Sequence, residues 1–241
     1  MYLSLVIPAY NEADRIGDTL VHAAEYFSAQ EYAAEIIVVD DGSVDDTAGV
    51  VRRIQASSAV PIRLDSLPEN RGKGHAVRAG ILNLAAGRFR FYYDADGSTP
   101  IEEVGRCRPL FEGEADIIIG SRALPGSVIQ QRQAWYRENM GRCYNRIEKA
   151  LGITPFPDTQ CGFKGFTARA AEICFSRQTV QRFSFDAELL YIAAKHGLRI
   201  LELPVRWGNS PKSKVNPVTD AARMFFDLVA IRWKDIRRLY E

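Results

Sequence analysis

The sequence has no apolar run approaching the roughly 18 to 20 residues of a membrane span; the best, MFFDLVAI, is broken by Asp227. Its opening, MYLSLVIPAYNE, lacks the basic start and cleavage site of a signal peptide, and its apolar stretch is too short for one. An excess of one charge is missing too. Basic residues number 31 and acidic residues 30, a formal charge of +1, which gives no electrostatic footprint for nucleic acid; no such partner is expected. Cysteine is sparse: Cys107, Cys143, Cys161 and Cys174 form no CxxC pair and have no His pair nearby, which argues against zinc-ribbon and redox motifs and reads as four reduced thiols in a cytoplasmic protein. His22, His75 and His196 are scattered and fit structural or exposed positions rather than a metal cluster. A GxSxG elbow, a Walker A loop and a GxGxxG after the first strand-like run are all absent. Serine hydrolases, Walker-type NTPases and dinucleotide-dependent oxidoreductases therefore lack their chemistry here.

What is present is the composition of an ordinary globular protein, 46% apolar and 25% charged over 241 residues, with a length that favours one domain over residues 1–241. LSLVIPA, an amphipathic stretch from Ile16 to Phe27, and EIIVVDDGS make a βαβ beginning. The rhythm repeats through a helix from Asp45 to Ala56, the run PIRLDSL, a helix from His75 to Ala85 and RFRFYYDADGS. This predicts an α/β fold with a parallel sheet. Unbroken apolar runs such as IIVV and DIIIGS suit strands buried on both faces. Beyond residue 121 the rhythm changes. SRALPGSVIQQRQAWYREN is a polar region, a helix runs to Leu151, and GITPFPDTQCGFKGF reads as a loop. Helices are expected at Ala168 to Phe175, Phe185 to Lys195 and Pro217 to Tyr240, with ILELPVRW as one late strand. In open α/β sheets ligands bind at the carboxyl edge, so the tips Tyr10 to Glu12, Asp40 to Ser43 and Asp94 to Ser98 should converge there.

Each tip has its own chemistry. Asp94, Ala95 and Asp96 place two carboxylates on one strand-end loop, a DxD arrangement that suits Mg²⁺ or Mn²⁺ bridging to a diphosphate. Asp40 and Asp41 offer acceptors for a base NH or ribose hydroxyls, whereas Asp45 and Asp46 fit the start of the next helix. Asn70 to Gly74, NRGKG, is a glycine-bearing turn before a helix, and its Lys73 is placed to reach a diphosphate.

Taken together, VIPAYNE, VVDDGS, NRGKG and DADGSTP resemble the nucleotide-sugar half of family 2, GT-A fold glycosyltransferases. GSRA, DTQCGFKGF, RFSFDAELLYIA and ELPVRWGNSPKSKV resemble the dolichyl-phosphate β-glucosyltransferase branch and, less closely, dolichyl-phosphate mannose synthases. The resemblance implies a three-layer α/β sandwich with a mixed, mainly parallel sheet. It divides the chain into a nucleotide-sugar half (1–121), an acceptor half (122–216) and a C-terminal amphipathic helix (217–241). It implies that Pro8, Tyr10, Glu12, Val39 and Asp41 line the nucleoside pocket, and that Asp94, Ala95 and Asp96 hold diphosphate and metal. Arg122 and Lys214 fall where such enzymes place cations near phosphates, and Arg132 and Arg137 are partners for an anionic acceptor. Asp158, Gln160, Lys164, Asp186 and Glu188 are the polar residues of the acceptor half.

The expected reaction is a single inverting displacement that moves glucose from UDP-glucose, preferred over a GDP-sugar, onto a polyprenyl phosphate. Asp96, Asp186 and Arg122 are its candidate catalytic residues. Relatives of this kind in eukaryotes carry an N-terminal anchor, and some mannose synthases carry C-terminal spans; neither is seen here. The basic, apolar segment from Met224 to Ile236 is read instead as an interfacial helix on the cytoplasmic face of a membrane. One alternative keeps the chemistry but uses a saccharide hydroxyl, with Asp186 or Glu188 as base. Another is a non-catalytic nucleotide-sugar-binding protein.

Overall fold

The computed structural model describes residues 1–113, 115–209 and 219–241. Strands β1 (Leu3–Ala9) and β2 (Ala34–Asp40) are buried along their whole lengths, as their unbroken apolar runs require. Alternate side chains separate into two cores. Leu3, Leu5, Ile7, Ile36 and Val38 face one side of the sheet, and Val6, Ile37 and Val39 the other. Helices α1 (Ile16–Ser28), α2 (Thr47–Gln55) and α4 (Glu103–Glu112) cover the first core. Helices α3 (Lys73–Ala79), α5 (Trp135–Ala150), α6 (Ala168–Arg177), α7 (Phe185–Lys195) and α8 (Thr219–Ile236) cover the second. Each fully buried aliphatic or aromatic side chain stabilises this layering by roughly 1.5–3 kcal/mol.

The remaining strands are β3 (Ile62–Ser66), β4 (Phe89–Tyr93), β5 (Ile117–Ser121), β6 (Val128–Gln131), β7 (Phe163–Thr167), β8 (Ile200–Pro204) and β9 (Arg206–Gly208). Among the described residues the main sheet has seven strands in the order β3-β2-β1-β4-β7-β5-β8, and of these β7 alone runs against the others. The sheet is mixed and mainly parallel, as expected.

Three details differ from the sequence reading. Phe163–Thr167, expected within a loop, is the antiparallel strand that joins the two parts of the sheet. Its two aromatics serve opposite cores, and between them the buried Lys164 and a glycine erase the apolar run that marks the other central strands. ILELPVRW is not one strand: β8 ends at Pro204, where a missing NH is tolerated on an edge strand, and β9 pairs with β6 in a separate two-stranded sheet. The expected helix from His75 begins at Lys73 and ends in a π-helical turn, Gly80–Leu84.

Candidate active site

The carboxyl ends of β1, β2, β4 and β5 open on a cleft of about 480 Å³. Pro8, Tyr10, Glu12, Asp41, Lys73, Asp94, Ala95, Asp96, Arg122 and Asp186 all line it, so the tips that the sequence separates meet in one place. Val39 and Asp40 do not present side chains there. Val39 is packed in the second core, and Asp40 accepts a hydrogen bond from the Ser43 NH. Arg132 is exposed and lines no part of this cleft, Arg137 lines a neighbouring groove, and Lys214 lies outside the described residues.

The acidic loop is held from behind. Asp94 donates its backbone NH to the Gly162 carbonyl at 3.0 Å, and its Oδ1 lies 2.6 Å from Lys73 Nζ. Asp96 Oδ1 accepts from the Ser98 NH at 3.0 Å, while Oδ2 is 3.8 Å from Arg15 Nη1. Burial, and then the neighbouring Asp94, lift the Asp96 carboxyl above its ordinary value. For Lys73 burial works against the charge, and Asp94 and then Asp186 outweigh it, so the ammonium is held above its ordinary value.

Asp41 has a structural task that no motif displays: its carboxylate accepts from the NH groups of Arg71, at 3.0 Å, and Gly72, at 2.8 Å. Those two bonds shape the turn that presents Lys73. Gly72 has φ +109°, and a Cβ there would press on the Gln181 carbonyl, so the turn requires glycine. Glu12 is likewise engaged, gripping Arg15 through both carboxylate oxygens.

On the acceptor side Arg122 is clamped. Its Nε and Nη2 each donate to Asp158 at 2.8 Å, and its guanidinium lies over the Trp207 ring at 5.3 Å. Burial opposes the Asp158 charge, but Arg122 more than compensates and holds the carboxyl below its ordinary value. Asp186, 2% exposed, accepts on Oδ1 from Lys164 Nζ at 2.6 Å and from the Tyr92 hydroxyl. Lys164 is fully buried and also donates to the Cys161 carbonyl at 2.7 Å. Glu188, the other carboxylate considered as a base, is not at the cleft. It accepts from the NH groups of Thr179 and Val180 and from the Thr179 and Tyr240 hydroxyls.

Among the described residues no group of three His, Cys, Asp or Glu side chains could enclose a metal by itself. The DAD carboxylates still fit a magnesium-type ion, which is ordinarily held by one or two carboxylates together with substrate phosphates. Among the described residues Asp94 Oδ1 is buried with no hydrogen-bond partner beyond its contact with Lys73, and a dication there would also ease the mutual repulsion of Asp94 and Asp96.

Several site residues carry no signal strong enough to be singled out in the sequence. Arg15, Gly162, Arg182, Phe183 and Trp207 line the cleft; the last four lie within the motifs DTQCGFKGF, RFSFDAELLYIA and ELPVRWGNSPKSKV, but nothing in those motifs singles these positions out. Glu148 on α5 is the furthest from sequence inference. It is fully buried, accepts from the Thr159 hydroxyl, and its carboxyl is pushed up to about 8, first by burial and then by Asp186 and Asp158, against the hydroxyl bond and Lys164. Its folded value lies above the unfolded one, so the acid form favours the fold. That stability is complete below about pH 4.5 and is lost as pH rises toward about 8, by up to roughly 1.4 kcal/mol per pH unit. Glu148→Gln should therefore be more stable than the parent at pH 8.5 and no more stable at pH 4.5. Chemical denaturation at both pH values checks this, and an unchanged difference would refute it.

A model of glycosyl transferase family 2 matches residues 4–174. Dolichyl-phosphate beta-glucosyltransferase of Dictyostelium discoideum is 34% identical, covering 97% of this chain and 75% of that protein. The Homo sapiens protein of the same name is 35% identical over 95% of this chain and 74% of its own length. Among solved structures, glucosyl-3-phosphoglycerate synthase from Mycobacterium tuberculosis, in complex with Mn²⁺, UDP and its product, superposes with a TM-score of 0.68 at 18% identity, over 95% of this chain and 78% of that one. At that identity the structural likeness speaks for the fold alone. The sequence matches run through both the acidic tips and the clamped acceptor side, and on them the chain belongs to glycosyl transferase family 2, among the dolichyl-phosphate beta-glucosyltransferases.

Proposed function

We propose that the chain is an inverting hexosyltransferase that moves glucose from UDP-glucose onto the phosphate of a polyprenyl phosphate. Asp94 and Asp96 would hold Mg²⁺ or Mn²⁺, which supplies charge neutralisation for the departing diphosphate. Lys73 adds a fixed cation beside the same carboxylates, and Arg122, unable to swing away from Asp158 and Trp207, presents a second cation to the cleft. The observation that carries the choice of acceptor is the state of Asp186. Its Oδ1 already accepts from Lys164 Nζ at 2.6 Å and from the Tyr92 hydroxyl, so that oxygen is engaged within the fold rather than with an acceptor hydroxyl. A hydroxyl acceptor needs a base, whereas a phosphate monoester is an anion at neutral pH and needs only to be positioned.

The test is transfer of radiolabel from a panel of UDP- and GDP-sugars into an organic-extractable lipid phosphate, with Mg²⁺ or Mn²⁺ and with EDTA. Metal-dependent labelling from UDP-glucose is expected. Donor consumed only with saccharide acceptors would overturn the acceptor, and labelling that survives EDTA would overturn the metal.

Part of the same proposal is peripheral attachment to a membrane. No helix among the described residues is long and apolar enough to cross one. On α8, however, Phe226, Val229, Trp233 and Ile236 recur at helical spacing and are 68%, 44%, 51% and 76% exposed, while Leu228 and Ile231 are buried beneath. Arg223, Lys234, Arg237 and Arg238 accompany the exposed stripe. Flotation with anionic vesicles should fall by an order of magnitude or more in a Phe226→Asp/Trp233→Asp variant, since two exposed aromatics that lipid would bury are exchanged for charge. Equal flotation of the variant would show that α8 does not meet the lipid.

A further inference from the structure

The turn that carries Lys73 is gripped on two sides. Asp41 holds one side through the Arg71 and Gly72 NH groups, and the other side rests on residues 178–184, the segment between α6 and α7. The His75 NH donates to the Gln181 carbonyl at 3.0 Å. Gln178 Nε2 bridges the two segments, donating to the Gly74 carbonyl at 2.9 Å and to the Val180 carbonyl at 2.7 Å. Contact is closest on either side of the lysine. A Cβ on Gly72 would stand 2.6 Å from the Gln181 carbonyl oxygen, and one on Gly74 would stand 2.9 Å from that of Val180 and 2.7 Å from the Phe185 side chain. The supporting segment is itself tied to the far end of the fold. Glu188, on α7, accepts from the Thr179 NH at 2.9 Å and the Val180 NH at 2.7 Å. Tyr240, buried just beyond α8, donates its hydroxyl to the same carboxyl group at 2.6 Å, and its own carbonyl meets His196 Nε2 at 2.8 Å.

Resting on the reading that Lys73 faces the donor's diphosphate, we infer that Glu188 and Tyr240 are positioning residues for donor binding, holding Lys73 in place through residues 178–181. Neither lines the cleft. The link is continuous: Tyr240 to Glu188, Glu188 to the Val180 NH, the Val180 carbonyl to Gln178, and Gln178 to Gly74, next to the lysine. It is also stiff. With no Cβ and no gap between the glycines and the Gln181 and Val180 carbonyls, a shift of the supporting backbone either pushes the turn or opens a void beneath it. An ammonium displaced by about an ångström loses much of what it gives a bound phosphate. This also accounts for Glu188 having so many donors around it while standing away from the chemistry.

The readout is affinity for UDP at saturating Mn²⁺, measured by calorimetry, together with the steady-state constants for UDP-glucose. Lys73→Met should weaken UDP about ten- to a hundred-fold, the loss of one charged hydrogen-bonding partner. Tyr240→Phe keeps the ring and removes only the hydroxyl; Glu188→Gln sets an NH₂ group against donors that now meet an oxygen. Each should weaken UDP about three- to ten-fold and raise KM more than it lowers kcat, as expected for residues that act through a network without touching the ligand. Combined with Lys73→Met, either substitution should add less than about 1.5-fold, because residues that act through the lysine have nothing left to position once it is gone. Thermal midpoints check folding, and should Glu188→Gln fail to fold, Tyr240→Phe decides. Parental UDP affinity in Lys73→Met would overturn the reading of Lys73 and the inference with it. Weakened UDP in Lys73→Met beside parental affinity in Tyr240→Phe and Glu188→Gln would overturn the inference alone. Losses that multiply in full in the double variants would overturn it too, since they would mark Glu188 and Tyr240 as supports of the fold at large rather than of Lys73.

Discussion

Gly162→Ala should abolish sugar transfer about as thoroughly as Asp94→Asn. A Cβ at residue 162 would fall inside the Asp94 carboxylate, and the backbone cannot retreat, because the Asp94 NH is bonded to the Gly162 carbonyl at 3.0 Å. The carboxylate must therefore rotate away. Rotation separates it from Lys73 and from the place it shares with Asp96, and so removes the arrangement that would hold the dication. Loss of one preorganised group that stabilises developing charge costs about 10² to 10³ in kcat. Both variants should show that loss together with a weakened apparent affinity for Mn²⁺, while far-UV dichroism stays that of the parent. A Gly162→Ala enzyme within ten-fold of the parent in kcat would mean that the Asp94 carboxylate is not needed where the structure has it.

The second large effect is on stability. Lys164→Met leaves the buried Asp186 carboxyl without the ammonium that faces it at 2.6 Å, and such half-broken pairs cost about 3–5 kcal/mol. For a chain of this length that corresponds to a fall of roughly 10 °C in thermal midpoint. The double variant Lys164→Met/Asp186→Leu should recover most of the loss, since two apolar side chains replace the pair without stranding a charge, but it should not recover transfer. Calorimetry of the three proteins decides the matter. A single variant as stable as the parent would show that the pair adds nothing to the fold, and equal instability of single and double variants would show that packing, not charge, is what Lys164 supplies.

How far the sequence led depends on what kind of cause lay behind each feature. The paired cores of β1 and β2 were legible because burial on both faces leaves an unbroken apolar run, and the convergence of the acidic tips followed from strand direction alone. β7 was not, because a buried lysine and a glycine occupy its centre. Asp40 and Asp41 show a different limit. A carboxylate at a strand end can serve a ligand or a distant backbone NH with equal ease, and nothing local to Asp41 announces that Arg71 and Gly72 need an acceptor. Arg122 reads as a cation near phosphates, and nothing beside it announces that Asp158, far along the chain, clamps it. The raised carboxyl of Glu148 was out of reach altogether, since its cause is burial rather than any neighbour in sequence.

The position of β7 bears on how the protein could be divided. Tyr93 pairs with Phe163 and Phe89 with Thr167, so the strand that follows the acceptor-side loop is the one that closes the outer edge of β4. A fragment ending at residue 121 would contain VIPAYNE, VVDDGS, NRGKG and DADGS and still lack the carbonyl that fixes the Asp94 loop. It would also expose β4 as an unpaired, apolar edge, open to association with other copies. The two halves named for donor and acceptor are thus not exchangeable modules. Recombination with another family member would have to carry β7 along with the acidic tips, placing the seam after Thr167 rather than before Arg122.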